Sequence, residues 1–364
     1  MCSIVRVVLA FVAGAFALAS VSCSLESAQD DGGGVFTSSS AMEFRAPLPG
    51  RGTDVFANGA PELQGFPLNP ARRAPASAPR ARLSSASACG QAALPTGLKA
   101  GQTTLRSITS GGMKRTFRLH VPLKASNTAA MPLVLNFHGR TATGIDQEIL
   151  SGLVPLSDRE TFVLVSPDGT GTPMGWSAGA TPANSIDDVK FADDIITQLS
   201  RELCIDQTRI YATGFSNGAF MSSKLACTMP DRIAAIAVVG GVDYPAEGCK
   251  ARVPVLAIHG TGDEVVPLDG GLVRSWKYPG AQTAMENWAA NNACSQLSEE
   301  VVLTPGVVRE TFAECAAATE FVTVDKAGHV WPGGPGCKPG TPEASISAAE
   351  LVWRFLGAKR LPAS

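Results

Sequence analysis

The sequence predicts an α/β domain over residues 89–361, with a mostly parallel central sheet and helices on both of its faces. Three observations lead there. Short, wholly apolar runs recur and each is closed by a turn residue, which is how strands buried on both faces read. Helical segments with one apolar face fall between those runs. About 270 residues is also a length that a single hydrophobic core can serve.

The elements follow in order. Residues 116–121 alternate like a strand, with Phe117, Leu119 and Val121 on one side. The run Pro132-Leu133-Val134-Leu135-Asn136-Phe137 is a buried strand that enters the turn His138-Gly139. Residues 162–166 form another, closed by Pro167-Asp168-Gly169. Ser185-Ile186-Asp187-Asp188 has the composition of a helix cap, and Val189, Ile195, Ile196, Leu199 and Leu203 line one face of the helix it starts. A strand at 209–213 feeds a helix at 219–228. Strands at 233–239, 254–259 and 320–324 come next, and a last helix at 347–356 stops at Gly357.

The flanking sequence differs. Arg6 and the apolar run 7–19 form the charged and hydrophobic parts of a secretory signal peptide, assigned to residues 1–22. Cys23 then becomes a candidate lipid anchor, and the product is expected to be secreted or held at the cell envelope. Residues 23–88 are rich in Ala, Ser, Pro, Gly and Arg and carry no periodicity, so a disordered linker is expected. Nine cysteines suit an oxidising compartment. The 30 basic and 32 acidic residues leave a net charge of −2, which offers no basic stripe for nucleic acid.

The chemistry centres on Gly214-Phe215-Ser216-Asn217-Gly218, placed between a strand and a helix. A strand that enters a helix through one tight turn lifts its central side chain above the sheet edge, and the next amide points from a helix start at any developing oxyanion. Ser216 is therefore the candidate nucleophile and the Asn217 N–H one oxyanion donor. A serine hydroxyl needs a base. Of the four histidines, only His329 lies downstream in a loop between the last strand and the last helix. The turn His259-Gly260-Thr261-Gly262-Asp263 ends an intermediate strand and offers Asp263 to orient that base. The backbone of Arg140 or Thr141, after His138-Gly139, is the second candidate oxyanion donor. His138 and His259 read as turn-stabilising residues, and Asp187 and Asp188 as capping residues. Attack needs a neutral imidazole, so activity is expected to rise with pH through the titration of the base. No cofactor is expected, and no cysteine pair has zinc-site spacing.

These motifs resemble a known family. His138-Gly139, Asp187-Asp188-Val189 with Phe191, the run 211–221, the turn 259–267 and Gly328-His329-Val330-Trp331-Pro332-Gly333 are similar to secreted poly(3-hydroxybutyrate) depolymerase-type esterases, relatives of the feruloyl and acetylxylan esterases of carbohydrate esterase family one. The resemblance spans about residues 97–358. It implies an α/β-hydrolase fold and cofactor-free hydrolysis of carboxylic esters by Ser216, Asp263 and His329. Arg140 departs from the family pattern, where a small residue or cysteine is usual. Trp176 and Trp331 are expected to contact substrate. The resemblance also implies a disulfide between Cys294 and Cys315. Cys204 and Cys227, both placed near the bottom of the sheet, are a further candidate pair, with Cys249 as competitor.

The substrate expected is a polymeric or bulky ester taken by a monomer. The chain ends soon after the last helix, which weighs against an insoluble polyester. A non-catalytic, envelope-anchored binding protein on the same fold is the alternative of another class.

Overall fold

A computed structural model describes residues 89–90, 93–179, 186–295 and 297–362. The expected signal peptide, the linker and Cys23 lie outside them. In chain order the elements are β1 (Gln102–Ser110), β2 (Met113–Val121), β3 (Met131–Phe137), α1 (Gly144–Ser151), α2 (Leu153–Glu160), β4 (Val163–Pro167), α3 (Asp188–Glu202) and β5 (Ile205–Phe215). Then come α4 (Asn217–Thr228), β6 (Ala235–Val239), β7 (Val255–Gly260), the short pair β8 (Gly271–Val273) and β9 (Trp276–Tyr278), α5 (Ala281–Asn291), β10 (Ser298–Thr304), β11 (Val307–Phe312), β12 (Thr319–Val324) and α6 (Ala348–Gly357).

Among the described residues the main sheet has ten strands in the order β1-β2-β4-β3-β5-β6-β7-β12-β11-β10. From β4 to β12 neighbouring strands pair in parallel. Antiparallel hairpins extend both edges. The parallel strands are the apolar runs of the sequence: every residue of β3, β4, β6 and β7 is buried. One apolar layer, with Phe137, Ile195, Leu199 and Leu225, covers one face of the sheet. A second, with Leu156, Trp331, Val352 and Phe355, covers the other. Helices thus pack on both sides, as the alternation of apolar runs and amphipathic segments requires.

Local chemistry sets the helix starts. Asp187 caps α3 by accepting from the Lys190 amide at 2.8 Å. Asp188 does more than compensate the dipole: it is buried, pairs with Arg115 at 2.9 Å and accepts from the Ser177 amide. Ser347 caps α6. The β10–β11 hairpin went unforeseen because its strands are half-exposed, and polar residues break the apolar run that marks a buried strand.

Cys294 bonds Cys315, as the family resemblance implied. The expected Cys204–Cys227 pair does not form. Cys204 bonds Cys89 and Cys227 bonds Cys249. The residue before β5 faces the segment that docks on Asn127, where the Gly90 amide donates to the Asn127 carbonyl and the Asn127 side chain accepts from the Cys204 amide. Cys227, on α4, instead meets the returning β6–β7 loop, where Lys250 N–H donates to its carbonyl. Cys337 stays a thiol and donates to the Trp331 carbonyl.

Candidate active site

β5 ends at Phe215 and α4 begins at Asn217, so Ser216 alone makes the connection. Its backbone takes φ 55° and ψ −118°, a left-handed conformation unfavourable for a residue with a side chain. Packing enforces it. A Cβ on Gly214 would sit 2.6 Å from the Phe137 carbonyl oxygen, and one on Gly218 would collide with that same oxygen. The two glycines let α4 and β5 close on the end of β3. The Ser216 amide donates to the Val239 carbonyl at 3.0 Å, which fixes the turn against β6.

Two loops at the same sheet edge hold the acid and base candidates, Asp263 and His329. The Gly262 amide donates to the Ala327 carbonyl at 2.9 Å, tying the turn after β7 to the turn after β12. Asp263 is buried, and its Oδ1 accepts from the Val265 and Val266 amides at 2.9 and 2.8 Å. That leaves Oδ2 for Nδ1 of His329, 2.7 Å away. An Nδ1–H directed at a carboxylate fixes the imidazole with its Nε2 lone pair open. Phe215 lies against the His329 ring, with centroids 4.6 Å apart. Behind the pair, His259 donates from Nε2 to the Val266 carbonyl at 2.8 Å and so braces the acid loop. Burial lowers the His259 pKa and keeps that ring neutral.

Ser216 and His329 open onto one cavity of about 460 Å³. Phe215, Ile149, Leu150 and Val265 give it apolar walls, and Gly139 and Arg140 form the side next to Ser216. A Cβ on Gly139 would lie 3.5 Å from the Ser216 Cβ, so the loop after β3 packs directly on the nucleophile turn. The Thr141 amide is not available to an oxyanion, because it donates to the Met174 carbonyl at 2.8 Å. The Arg140 amide has no such acceptor among the described residues. Of the two expected donors after Gly139, Arg140 alone remains. Its loop is held by His138, whose Nε2 accepts from the Gly169 amide, so Nδ1–H donates to the Gly139 carbonyl. Burial lowers the His138 pKa, which keeps that tautomer uncharged.

Neither tryptophan lines the cavity that holds Ser216. Trp176 is fully buried; its Nε1 donates to the His138 carbonyl at 2.8 Å and its ring packs on Phe137. Trp331 is buried in the apolar layer under α6. A glycine-rich loop and closeness in sequence to the base suggested exposure, but large aromatic surface is worth more inside the fold. Asn217 has a role the motif did not reveal. Its Oδ1 accepts from the Trp176 amide at 2.7 Å and its Nδ2 donates to the Trp176 carbonyl at 3.2 Å, stapling the start of α4 to the 176–178 loop. The cavity walls on α1 carried no signal, since Ile149 is an exposed apolar residue outside any motif. Among the described residues no cluster of three metal-ligating side chains occurs.

The phospholipase/carboxylesterase family matches residues 128–279, a stretch that contains Ser216 and Asp263. NocK of Nocardia uniformis subsp. tsuyamanensis, named as an esterase, is 30% identical over 286 residues, which cover 70% of this chain and 82% of NocK. A probable feruloyl esterase C of Aspergillus clavatus is 30% identical over 250 residues, 66% of this chain and 82% of its own. Among solved structures, a thermostable esterase superposes with a TM-score of 0.51 at 16% identity, covering 71% of this chain and 63% of its own. The acetyl xylan esterase from Aspergillus awamori gives 0.50 at 16% identity, covering 70% and 99%. The superpositions establish the α/β-hydrolase fold, and the sequence kinship places this chain among the esterases, hydrolases of carboxylic esters.

Proposed function

We propose that this esterase works through an acyl-enzyme on Ser216, with His329 as base and Asp263 as its orienting acid. The observation that carries the reading is the 2.7 Å Asp263–His329 hydrogen bond beside a serine held in a strained strand-to-helix turn on the same cavity. Ser216 Oγ adds to the ester carbonyl while His329 Nε2 takes its proton. The Arg140 and Asn217 amides face the oxyanion, and His329 then protonates the departing alcohol. Water repeats the sequence to release the acid.

The substrates are bulky esters, because apolar walls of Phe215, Ile149, Leu150 and Val265 suit a hydrophobic acyl group. The name of the feruloyl esterase C relative favours phenolic-acid esters. Poly(3-hydroxybutyrate)-type polyester is the second reading, supported by the motif resemblance. Acetylxylan is a third candidate. The apolar N-terminal run and three disulfides support export, with Cys23 as the lipid anchor if one is used.

The test is a panel of methyl ferulate, hydroxybutyrate oligomer, acetylated xylan and short p-nitrophenyl esters, each with wild type and Ser216→Ala. Preference for methyl ferulate, lost in Ser216→Ala, supports the reading. Preference for the hydroxybutyrate oligomer moves the assignment to polyester. Turnover that survives Ser216→Ala contradicts the mechanism.

A further inference from the structure

The cavity beside Ser216 carries a guanidinium that no ion pair among the described residues engages. Arg140 lines it with Ser216 and His329 and is half-buried. Its Nε is wholly buried and has no hydrogen-bond partner. The side chain also lies against Gly175, where an added Cβ would stand 3.8 Å from Cγ and 3.7 Å from Nη1. Four other arginines out of full exposure are matched by carboxylates, Arg106 by Glu202, Arg115 by Asp188, Arg118 by Glu148 and Arg232 by Asp193, whereas Arg209 and Arg309, away from this cavity, are not. The carboxylate that shares this cavity, Asp146, is turned to Thr143, whose amide and hydroxyl donate to its Oδ2 at 2.9 and 2.7 Å.

A guanidinium presents five donors in a planar fork and accepts nothing, and buried donors left unmade are costly. The group that satisfies such a fork is a carboxylate, bound in a bidentate manner. We propose that Arg140 is a specificity-determining residue that receives a carboxylate carried by the ester itself, on its acyl or its alcohol part. The enzyme then prefers acidic esters to neutral ones of the same shape. The proposal rests on the serine-esterase reading and names a chemical class within it. Charge-assisted hydrogen bonds at a partly desolvated site predict a preference of about ten- to a hundredfold in kcat/KM.

Two matched pairs test it. On the acyl side, p-nitrophenyl hemiadipate is compared with the p-nitrophenyl ester of adipic acid monoamide. On the alcohol side, 4-carboxyphenyl acetate is compared with 4-carbamoylphenyl acetate. The quantity read is the acid-to-amide ratio of kcat/KM, so that any general loss in a variant cancels. Wild type should show a ratio of about ten or more in at least one pair. Arg140→Gln should bring it to about one, and Arg140→Lys should keep part of it. A wild-type ratio near one in both pairs, or a ratio unchanged in Arg140→Gln, overturns the proposal. Should Arg140→Gln fail to fold, the wild-type ratio still decides: it must fall several-fold between about 0.02 and 0.5 M salt, and a preference indifferent to salt overturns the assignment. Hydrolysis of all four esters at equal rates ends this inference alone. Hydrolysis of none of them, with the methyl ferulate panel also inert, ends the serine-esterase reading with it.

Discussion

At the scale of single residues, the proposed chemistry rests on conformations that other residues impose. Ser216 keeps its left-handed backbone because the glycines on either side admit the Phe137 carbonyl. Asp263 aims one oxygen at His329 because two amides hold the other. These candidates were legible in the sequence, since strand-turn-helix order and turn chemistry leave few others. The walls were not: Trp176 looked like a substrate contact and is a buried strut of the nucleophile turn. Asp243, after β6, adds a pH dependence unrelated to catalysis. Burial pushes its carboxyl up to about 6, with the Tyr244 amide drawing it partly back. A folded-state pKa above the unfolded value means that the contribution is whole below about pH 4 and lost as pH rises through about 6. Asp243→Asn should therefore stabilise the domain by about 1–3 kcal/mol at pH 8 and change little at pH 4, read as the difference in denaturation midpoints.

At the scale of elements, the site is a meeting of strand ends. β3, β5, β7 and β12 run parallel, and the loops leaving their carboxyl ends hold Arg140, Ser216, Asp263 and His329, the proposed oxyanion amide, nucleophile, acid and base in turn. Apolar runs reveal buried strands well, so these four were found from sequence; the half-exposed β10–β11 hairpin was not. What joins elements is harder to foresee, because a polar side chain gives no sign of which distant amide it will reach. Asn217 is the case in point: it ties α4 to the 176–178 loop on the far side of the site. Asn217→Ala leaves the Trp176 amide buried without that acceptor and should cost about 2–3 kcal/mol in urea denaturation. Asn217→Asp keeps the acceptor and should cost less.

At the scale of the whole domain, the apolar sheet core carries two helical layers, and disulfides fasten its periphery. Sequence placed Cys204 and Cys227 at one end of the sheet and offered Cys249 as a competing partner, which Cys227 takes, but not Cys89 for Cys204, since pairing depends on where two loops return. The Cys89–Cys204 bond spans 115 residues, against 22 and 21 for the other two. Loop-closure entropy predicts that opening it costs most, about 4–5 kcal/mol against about 3 for each short loop. Denaturation of Cys89→Ser, Cys249→Ser and Cys315→Ser checks the order. Equal losses would show that the long bond constrains the unfolded chain no more than the short ones.

The proposed mechanism turns on Ser216 as nucleophile, and active-site labelling reaches it directly. A fluorophosphonate probe followed by peptide mass spectrometry should place one adduct on Ser216 in the wild-type protein and none in a folded Ser216→Ala variant. A folded wild type that stays unlabelled, or an adduct mapped to any other residue, would contradict it.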